Sequence, residues 1–363
     1  MTVYAEEHEE LRSAVRALLE KSADSATVRA TLGTGRYDDA LWRRMSDELG
    51  LPGLAVAESR GGSGFGILEL AVVLEEIGRA NLPSPFLTTV LAALALEAAG
   101  GPVADDLVPD LAAGTRTAAV HLPGGHGPAG WDLRDATVTG TLLHVPEAHA
   151  ADLLVLVAAD RGAVVDLTAV GVTVTALETM DLTRGQARVE LTGARARTLD
   201  VDPGWSDAVT ALAAVLVACE QVGGAERMLE VSTAHAGDRV QFGRPVGSFQ
   251  AVKHLLADML VEVELARTVQ QHAVALAAAG TAPATDLDAA AHVAHLTCSE
   301  AFRTVTGDAI RVHGGIGYTW EHDAHLYFRR ARASAVLFAD VAAHADRLAT
   351  TAGLVADPAQ EAS

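Results

Sequence analysis

Two segments concentrate side chains able to hold an anionic dinucleotide. The first runs Asp238-Arg239-Val240-Gln241-Phe242-Gly243-Arg244-Pro245-Val246-Gly247-Ser248-Phe249-Gln250 and reads as a polar loop between two long helices. Arg239, Gln241 and the amides at Phe242 and Gly243 make a cradle for a pyrophosphate, with an aromatic ring to flank an adenine. The second runs Arg311-Val312-His313-Gly314-Gly315-Ile316-Gly317. Its glycines let backbone N–H groups come close to a bound anion. A turn between long helices also needs glycine and proline merely to reverse, and arginines beside Asp238 or Asp323 can simply be paired. Other clusters carry less. Gly61, Gly62, Gly64 and Gly66 follow a helix-breaking stretch rather than a strand, which argues against a nicotinamide-binding βαβ unit. His322 and His325 could share a helical face and ligate a metal, but no further ligand set accompanies them. The expected role for that pair is a polar helix entry, in hydrogen bonds or at a subunit contact.

The elements that must position these loops follow from periodicity. From Tyr4 to about Ala113, apolar residues recur at helical spacing, as in Leu11, Val15, Leu18 and Leu19. Between about Thr115 and Asp202 the period shortens to two, with Leu153, Val155 and Val157 alternating, and strands follow one another with no helix-length run between them. From Trp205 onward, alanine-leucine runs return over Asp207 to Ala236, Phe249 to Ala279 and Asp286 to Val305, with a last helix after Phe328. The expected fold is mainly α with a small β domain. It comprises an N-terminal helical domain (1–113), a middle antiparallel β-barrel or sandwich domain (114–203) and a C-terminal four-helix bundle (204–356), ending in a disordered tail (357–363). Long helices that are apolar over much of their circumference need partners on more than one face, so part of the bundle surface is expected to be covered in an oligomer.

Composition narrows the function classes. The chain has 363 residues, half of them apolar, and a formal charge of -20, so nucleic acid is an unfavourable partner. Lys21 and Lys253 are the only lysines, and no polybasic run is present to hold a membrane surface. The longest uncharged apolar stretch, Ala208 to Cys219, is far short of the ~20 residues that span a bilayer. With an acidic opening and two unpaired cysteines, Cys219 and Cys298, the expectation is a cytoplasmic, reduced protein without a membrane partner. Against the global charge, Arg239, Arg244, Arg311, Arg329, Arg330 and Arg332 gather in the late segments, where an anionic dinucleotide would lie.

The two loop segments resemble the paired signatures of the acyl-CoA dehydrogenases, flavoenzymes that oxidise the α,β bond of an acyl thioester. In that family an Arg-x-x-Phe-Gly loop and a Gln-x-x-Gly-Gly loop hold the ADP half of FAD across a subunit interface. The resemblance extends along the chain. Glu48-Leu49-Gly50-Leu51-Pro52-Gly53-Leu54 and Glu75-Glu76-Ile77-Gly78-Arg79 are similar to the family's first domain. It implies FAD as cofactor, an acyl-CoA substrate, and cofactor contacts from Arg239, Gln241, Phe242, Gly243, Phe249, Gln250, Arg311, His313, Gly314 and Gly315. Arg311 stands where the family has glutamine, so it can reach phosphate but cannot accept a hydrogen bond.

The same resemblance exposes what is missing. Alignment on Arg329, Ala331 and Arg332 puts Phe338 at the commoner position of the catalytic glutamate. Alignment back through Gly224 and Arg227 puts Ala213 at the alternative position, and neither residue can take a proton. His121-Leu122-Pro123-Gly124-Gly125-His126 and His144-Val145-Pro146 replace the segments that normally wall and hydrogen-bond the flavin ring. A chain that keeps what it would lend to a neighbour's FAD and lacks what its own would need resembles the companion (β) subunits of actinobacterial α2β2 acyl-CoA dehydrogenases of the steroid side-chain type. The expected partner is a catalytic α subunit. Three alternatives accompany this reading: a self-sufficient dehydrogenase, possible as a homo-oligomer, with Asp340 or Glu220 as displaced base; a cofactor-free scaffold; and an enzyme acting on a carrier-bound acyl group.

Overall fold

The computed structural model describes residues 3–34, 36–124 and 130–355. The expected tail from Asp357 to Ser363 lies outside these residues, as do Gly125 and His126. Six helices come first: α1 (Glu6–Ser22), α2 (Ser25–Thr31), α3 (Asp39–Arg43), α4 (Ile67–Ala80), α5 (Phe86–Ala99) and α6 (Gly101–Ala112). Short polar residues start several of them. Asp24 accepts from the Thr27 amide at 2.8 Å, and Asp38 accepts from the amides of Ala40 and Leu41, which satisfies donors the first turn cannot.

Seven strands follow: β1 (Ala118–His121), β2 (Trp131–Arg134), β3 (Thr137–Pro146), β4 (Leu153–Ala158), β5 (Arg161–Asp166), β6 (Val172–Leu177) and β7 (Gln186–Leu199). They form one sheet in the order β1-β4-β5-β7-β3-β2, with β6 paired to β7. Two expectations need correction. The sheet is mixed, because β1 runs parallel to β4. The crossover between these two strands is the β2–β3 hairpin itself, so no helix was needed to make it. Nor does the sheet close into a barrel, since β1 and β2 stand at opposite ends of the strand order. Alternation along β4 serves two cores. Leu154 and Leu156 pack with Val165 and Val189 within the sheet unit, while Leu153, Val155 and Val157 join the helical core that contains Leu91 and Val90 of α5.

The remaining helices are α7 (Trp205–Asp238), α8 (Gln250–Ala279), α9 (Ala284–His313), α10 (Ala324–Ser334) and α11 (Val341–Thr351); a minimal hairpin, β8 (Val240–Gln241) with β9 (Arg244–Pro245), joins α7 to α8. Helix α7 is long and apolar enough to cross a membrane, but 83% of its most apolar window is buried inside the protein. It packs against α4 on one side and against α8 and α9 on the other. The α4–α7 crossing is made by two glycines: a Cβ on Gly78 would lie 1.9 Å from the Glu220 carbonyl oxygen, and one on Gly223 would lie 1.9 Å from that of Glu75. Backbone-to-backbone approach at this point fixes where Glu220 emerges. The expected single helix after Phe328 is in fact two, broken where Phe338 takes a φ of 68° and Asp340 caps α11 by accepting from the Ala343 amide at 2.7 Å.

Candidate functional site

The two dinucleotide-type segments meet at one end of the bundle. Arg239 ends α7, Val240–Gln241 and Arg244–Pro245 pair, and the turn between them has Phe242 at φ 53° and Gly243 at φ 76°. The left-handed geometry at both central residues is what a tight two-residue hairpin demands. This hairpin projects outward. Arg239, Gln241 and Gly243 are exposed, and Phe242 is 91% exposed. Phe249 anchors the return strand: its ring stands edge-on to Phe242 at 6.2 Å, and the Arg244 guanidinium lies over it at 4.1 Å. Gln250, exposed, opens α8.

Helix α9 runs through Arg311 and His313, so these two residues sit on its last turn and only Gly314 and Gly315 are in the following 3-10 turn. Arg311 is exposed and bonds Asp308 one turn back at 2.9 Å; His313 is buried, its Nδ1 2.7 Å from the Ala309 carbonyl oxygen. Gly314 and Gly315 are exposed and face open space. What holds the two segments together is a histidine stack that sequence reading missed. His313 lies 4.4 Å from His235, on the last turns of α7, and 4.2 Å from His322. Burial lowers all three imidazoles below the ordinary histidine value, helped at His235 and His322 by repulsion from His313 and opposed at His313 by its bond to the Ala309 carbonyl, and the rings meet at tilted angles. His322 also accepts a hydrogen bond from the Ala324 amide through Nδ1 at 3.1 Å, at the entry of α10. Among the described residues no group of three His, Cys, Asp or Glu is arranged to hold a metal ion.

The other half of the expected site is an apolar cleft of about 260 Å³ between the sheet and the α10–α11 break. Phe338 lines it together with His121, His144, Pro146 and Gln186. His121 is buried, and burial lowers its pKa to about 4, so it stands neutral; His144 is held through Nδ1, 3.1 Å from Gln186 Oε1. Ala213 is buried within α7. Both displaced carboxylates are engaged in structural contacts. Asp340 caps α11, as described above. Glu220 is buried and accepts from Arg184 Nη2 at 2.8 and 2.6 Å and from Arg330 Nη1 at 2.6 Å. Burial alone would raise its pKa, yet the two guanidiniums hold it below the usual carboxylate value, which makes it a poor proton acceptor. Arg330 therefore does not belong with the arginines that could face a dinucleotide. Its Nε contacts Asp181 Oδ2 at 3.0 Å and it is closed off from solvent. Arg329 and Arg332 do reach the surface, lying over Trp320 at 5.5 Å and Phe328 at 4.9 Å, beside a cavity of about 560 Å³ that Arg311 and Tyr318 also line.

The fit to FAD thus divides. The hairpin and the α9 terminus offer guanidinium, amide and aromatic groups to a molecule outside this chain, and these fit the ADP half. The cleft does not fit the isoalloxazine half. Its lining is mostly apolar, Phe338 stands in it where the family resemblance sets a carboxylate, and Pro146 offers no N–H.

A helical domain, a small mixed sheet and a long-helix bundle with an outward arginine hairpin define an acyl-CoA dehydrogenase type of flavoprotein. The sequence matches the N-terminal domain of acyl-CoA dehydrogenases over residues 5–115 and their C-terminal domain over residues 202–338. It is 41% identical over 333 residues to the acyl-CoA dehydrogenase IpdE2 of Mycobacterium tuberculosis, covering 92% of this chain and 93% of that one. Among solved structures it superposes on a Tcur3481-Tcur3483 steroid ACAD variant with a TM-score of 0.88 at 30% identity, covering 96% of this chain and 98% of the other. The ChsE4-ChsE5 complex from Mycobacterium tuberculosis gives a TM-score of 0.87 at 28% identity, covering 98% and 99%. The chain belongs to the acyl-CoA dehydrogenase family, whose members are FAD-dependent oxidoreductases.

Proposed function

We propose that this chain is the companion subunit of a heteromeric acyl-CoA dehydrogenase, lending ADP-half contacts to an FAD whose ring is held by a catalytic partner. The observation that carries the reading is Phe338. By the family resemblance it falls at the base position; it lines an apolar cleft, and the carboxylates at the two displaced positions, Asp340 and Glu220, are both engaged in structural contacts. Kinship to two-component proteins, one described as a steroid ACAD, supports a partner subunit and a CoA thioester of a steroid side chain as substrate, and the α2β2 stoichiometry is carried over from the family resemblance alone. When bound, FAD supplies the acceptor for the β-hydride. This chain's residues would do the holding: Arg239 and Arg311 would meet the pyrophosphate, Gln241 and the amides of Phe242 and Gly243 would donate to it, and Phe242 would offer an aromatic face to the adenine. Phe249 and Gln250 fix the return of the hairpin, and His313 ends α9 so that Gly314 and Gly315 face open space.

Co-expression with candidate α subunits, followed by mass determination and a flavin spectrum, tests the proposal. The expected complex holds one FAD per αβ pair, the isolated chain holds little flavin, and Arg239→Ala lowers the complex's flavin content at moderate salt. Stoichiometric FAD and acyl-CoA turnover by the chain alone would overturn it. An unchanged flavin content in Arg239→Ala would favour a cofactor-free scaffold instead.

A further inference from the structure

A third cavity, of about 480 Å³, opens between the α2–α3 loop, the α4–α5 loop and the segment from the end of β6 to the start of β7, away from the hairpin and the α9 terminus. Two of its lining residues, Glu147 and Asp181, belong to an unbalanced set of buried charges that continues behind the lining. Glu147, Asp181 and Glu220 supply three carboxyl groups; Arg184 and Arg330 supply two guanidiniums. Four of the five are tied to one another. Arg330 Nε lies 3.0 Å from Asp181 and Arg330 Nη1 lies 2.6 Å from Glu220, which also takes Arg184. Asp181 further accepts from the amide and hydroxyl of Thr183 through Oδ1. Glu147 is left over. It is 6% exposed, its backbone is left-handed at φ 59°, and its carboxyl lines the cavity with no hydrogen-bond partner among the described residues. The groups that face it are Arg184, Arg330, Asp181 and Glu220 from below, and His149, Glu178, Tyr37 and Arg36 around the cavity.

A buried surplus carboxylate is costly, so the fifth group must carry a proton or a counter-cation. Burial pushes the Glu147 carboxyl up to about 8, with Arg184 and Arg330 pulling the other way, so at neutral pH the proton is in place. The rest of the lining says what could displace it. Hydroxyl and carboxylate oxygens of Thr34, Ser84, Glu178 and Thr179 surround the cavity, and its one guanidinium among the described lining, Arg36, is engaged with Asp39. Leu177, Leu182 and Pro83 give an apolar wall. Among the described lining side chains acceptor oxygens outnumber charged donors, the one guanidinium being the exposed Arg36; a compact cation with three N–H donors and an alkyl stem finds acceptors and a wall.

We propose that this cavity binds a primary alkylammonium group, which replaces the proton on Glu147 as the neutralising charge of the buried cluster. The exchange balances: the ammonium enters with its charge, the Glu147 O–H bond breaks, the carboxylate keeps the electron pair, and one proton leaves to water. The ammonium can come from a free amine or from a lysine side chain of a partner protein.

Titration calorimetry of the full chain, alone and with its partner subunit, tests this with n-butylammonium, spermidine and Nα-acetyl-lysine amide in buffers of different ionisation enthalpy. The expected result is binding with close to one proton released at pH 7, weakening about fifty-fold from pH 8 to pH 6. Glu147→Gln should bind at least tenfold more weakly and release no proton. Glu178→Gln, at the exposed mouth, should weaken binding while leaving the proton count intact, which keeps the test valid if the first variant misfolds. Tighter binding of the lysine amide than of the free amines assigns the site to a protein lysine, and the reverse order assigns it to a metabolite. Absence of binding by all three probes, equal displacement by potassium, or an unchanged proton count in Glu147→Gln would overturn the proposal.

Discussion

Phe338 and Glu147 make opposite statements about where a carboxyl group can work in this chain. Phe338, which the family resemblance sets at a base position, lines a cleft of apolar walls beside the neutral ring of His121. On the companion-subunit reading, Phe338→Glu should leave the isolated chain without acyl-CoA oxidation in a dye-reduction assay, because that reading assigns the groups that hold the flavin ring to the partner. The same variant should lose about 1–3 kcal/mol of stability in urea, from lost packing and an unpaired charge. Glu147 is a carboxyl already raised to about 8. In the unfolded chain it titrates near ~4.3. A folded pKa above the unfolded one means the group's contribution is fully present below the unfolded value and is lost as pH rises toward 8. Glu147→Gln removes that loss. The variant should match the parent at pH 5 and exceed it by about 1–3 kcal/mol at pH 9, read from urea midpoints.

At the scale of elements, the α4–α7 crossing decides whether the buried ion network can form at all. With a Cβ at either glycine meeting a carbonyl oxygen at 1.9 Å, Gly78→Ala or Gly223→Ala must push the helices apart. Each should cost more than about 3 kcal/mol or yield insoluble protein. Gly237→Ala, in the same α7 but in open space, should instead be neutral or stabilising by about 0.5–1 kcal/mol. Comparison of the three melting curves separates close approach from helix propensity. Much of this architecture was legible in sequence, because a period of 3.6 with glycine and proline breaks marks the helices and the shift to period two marks the sheet. The parallel β1–β4 pair was not, since strand periodicity carries no direction. Nor was the break at Phe338, where nothing local to a phenylalanine announces a left-handed backbone. Of the candidate site, the outward hairpin could be read from Arg239 to Gly243. The role of Arg330 could not, because its partners Asp181 and Glu220 lie 149 and 110 positions away in the chain and meet it only through tertiary packing.

Taken whole, the molecule carries a formal charge of -20 at neutral pH while burying several imidazoles in neutral form. The most crowded set lies where α11 docks on α9. His344 Nδ1 is 2.7 Å from His292 Nδ1, and the His344 ring stacks on His295 at 4.0 Å. His292 Nε2 faces Asp288 at 3.4 Å, and Asp288 also takes Arg347 and Thr351 of α11. Burial, reinforced by neighbouring imidazoles, lowers His344 to about 2 and His295 to about 4, while burial alone lowers His121 in the cleft to about 4. Each of these folded values is below the unfolded ~6.5. The stability they confer is present above pH 6.5 and is lost as pH falls toward the folded values, because the unfolded chain takes up protons that the folded chain refuses. At most, each group contributes a slope of about 1.4 kcal/mol per pH unit. The urea midpoint should accordingly fall steeply between pH 6.5 and pH 4. Since α11 follows directly on the segment that carries Phe338, its release should come first, visible as hydrogen exchange in residues 341–351 before the bundle opens. Replacing His344 by phenylalanine, which keeps the stacked ring and cannot take a proton, should flatten the pH dependence. If the variant keeps the parent's full slope, the acid sensitivity lies elsewhere than in the α9–α11 contact.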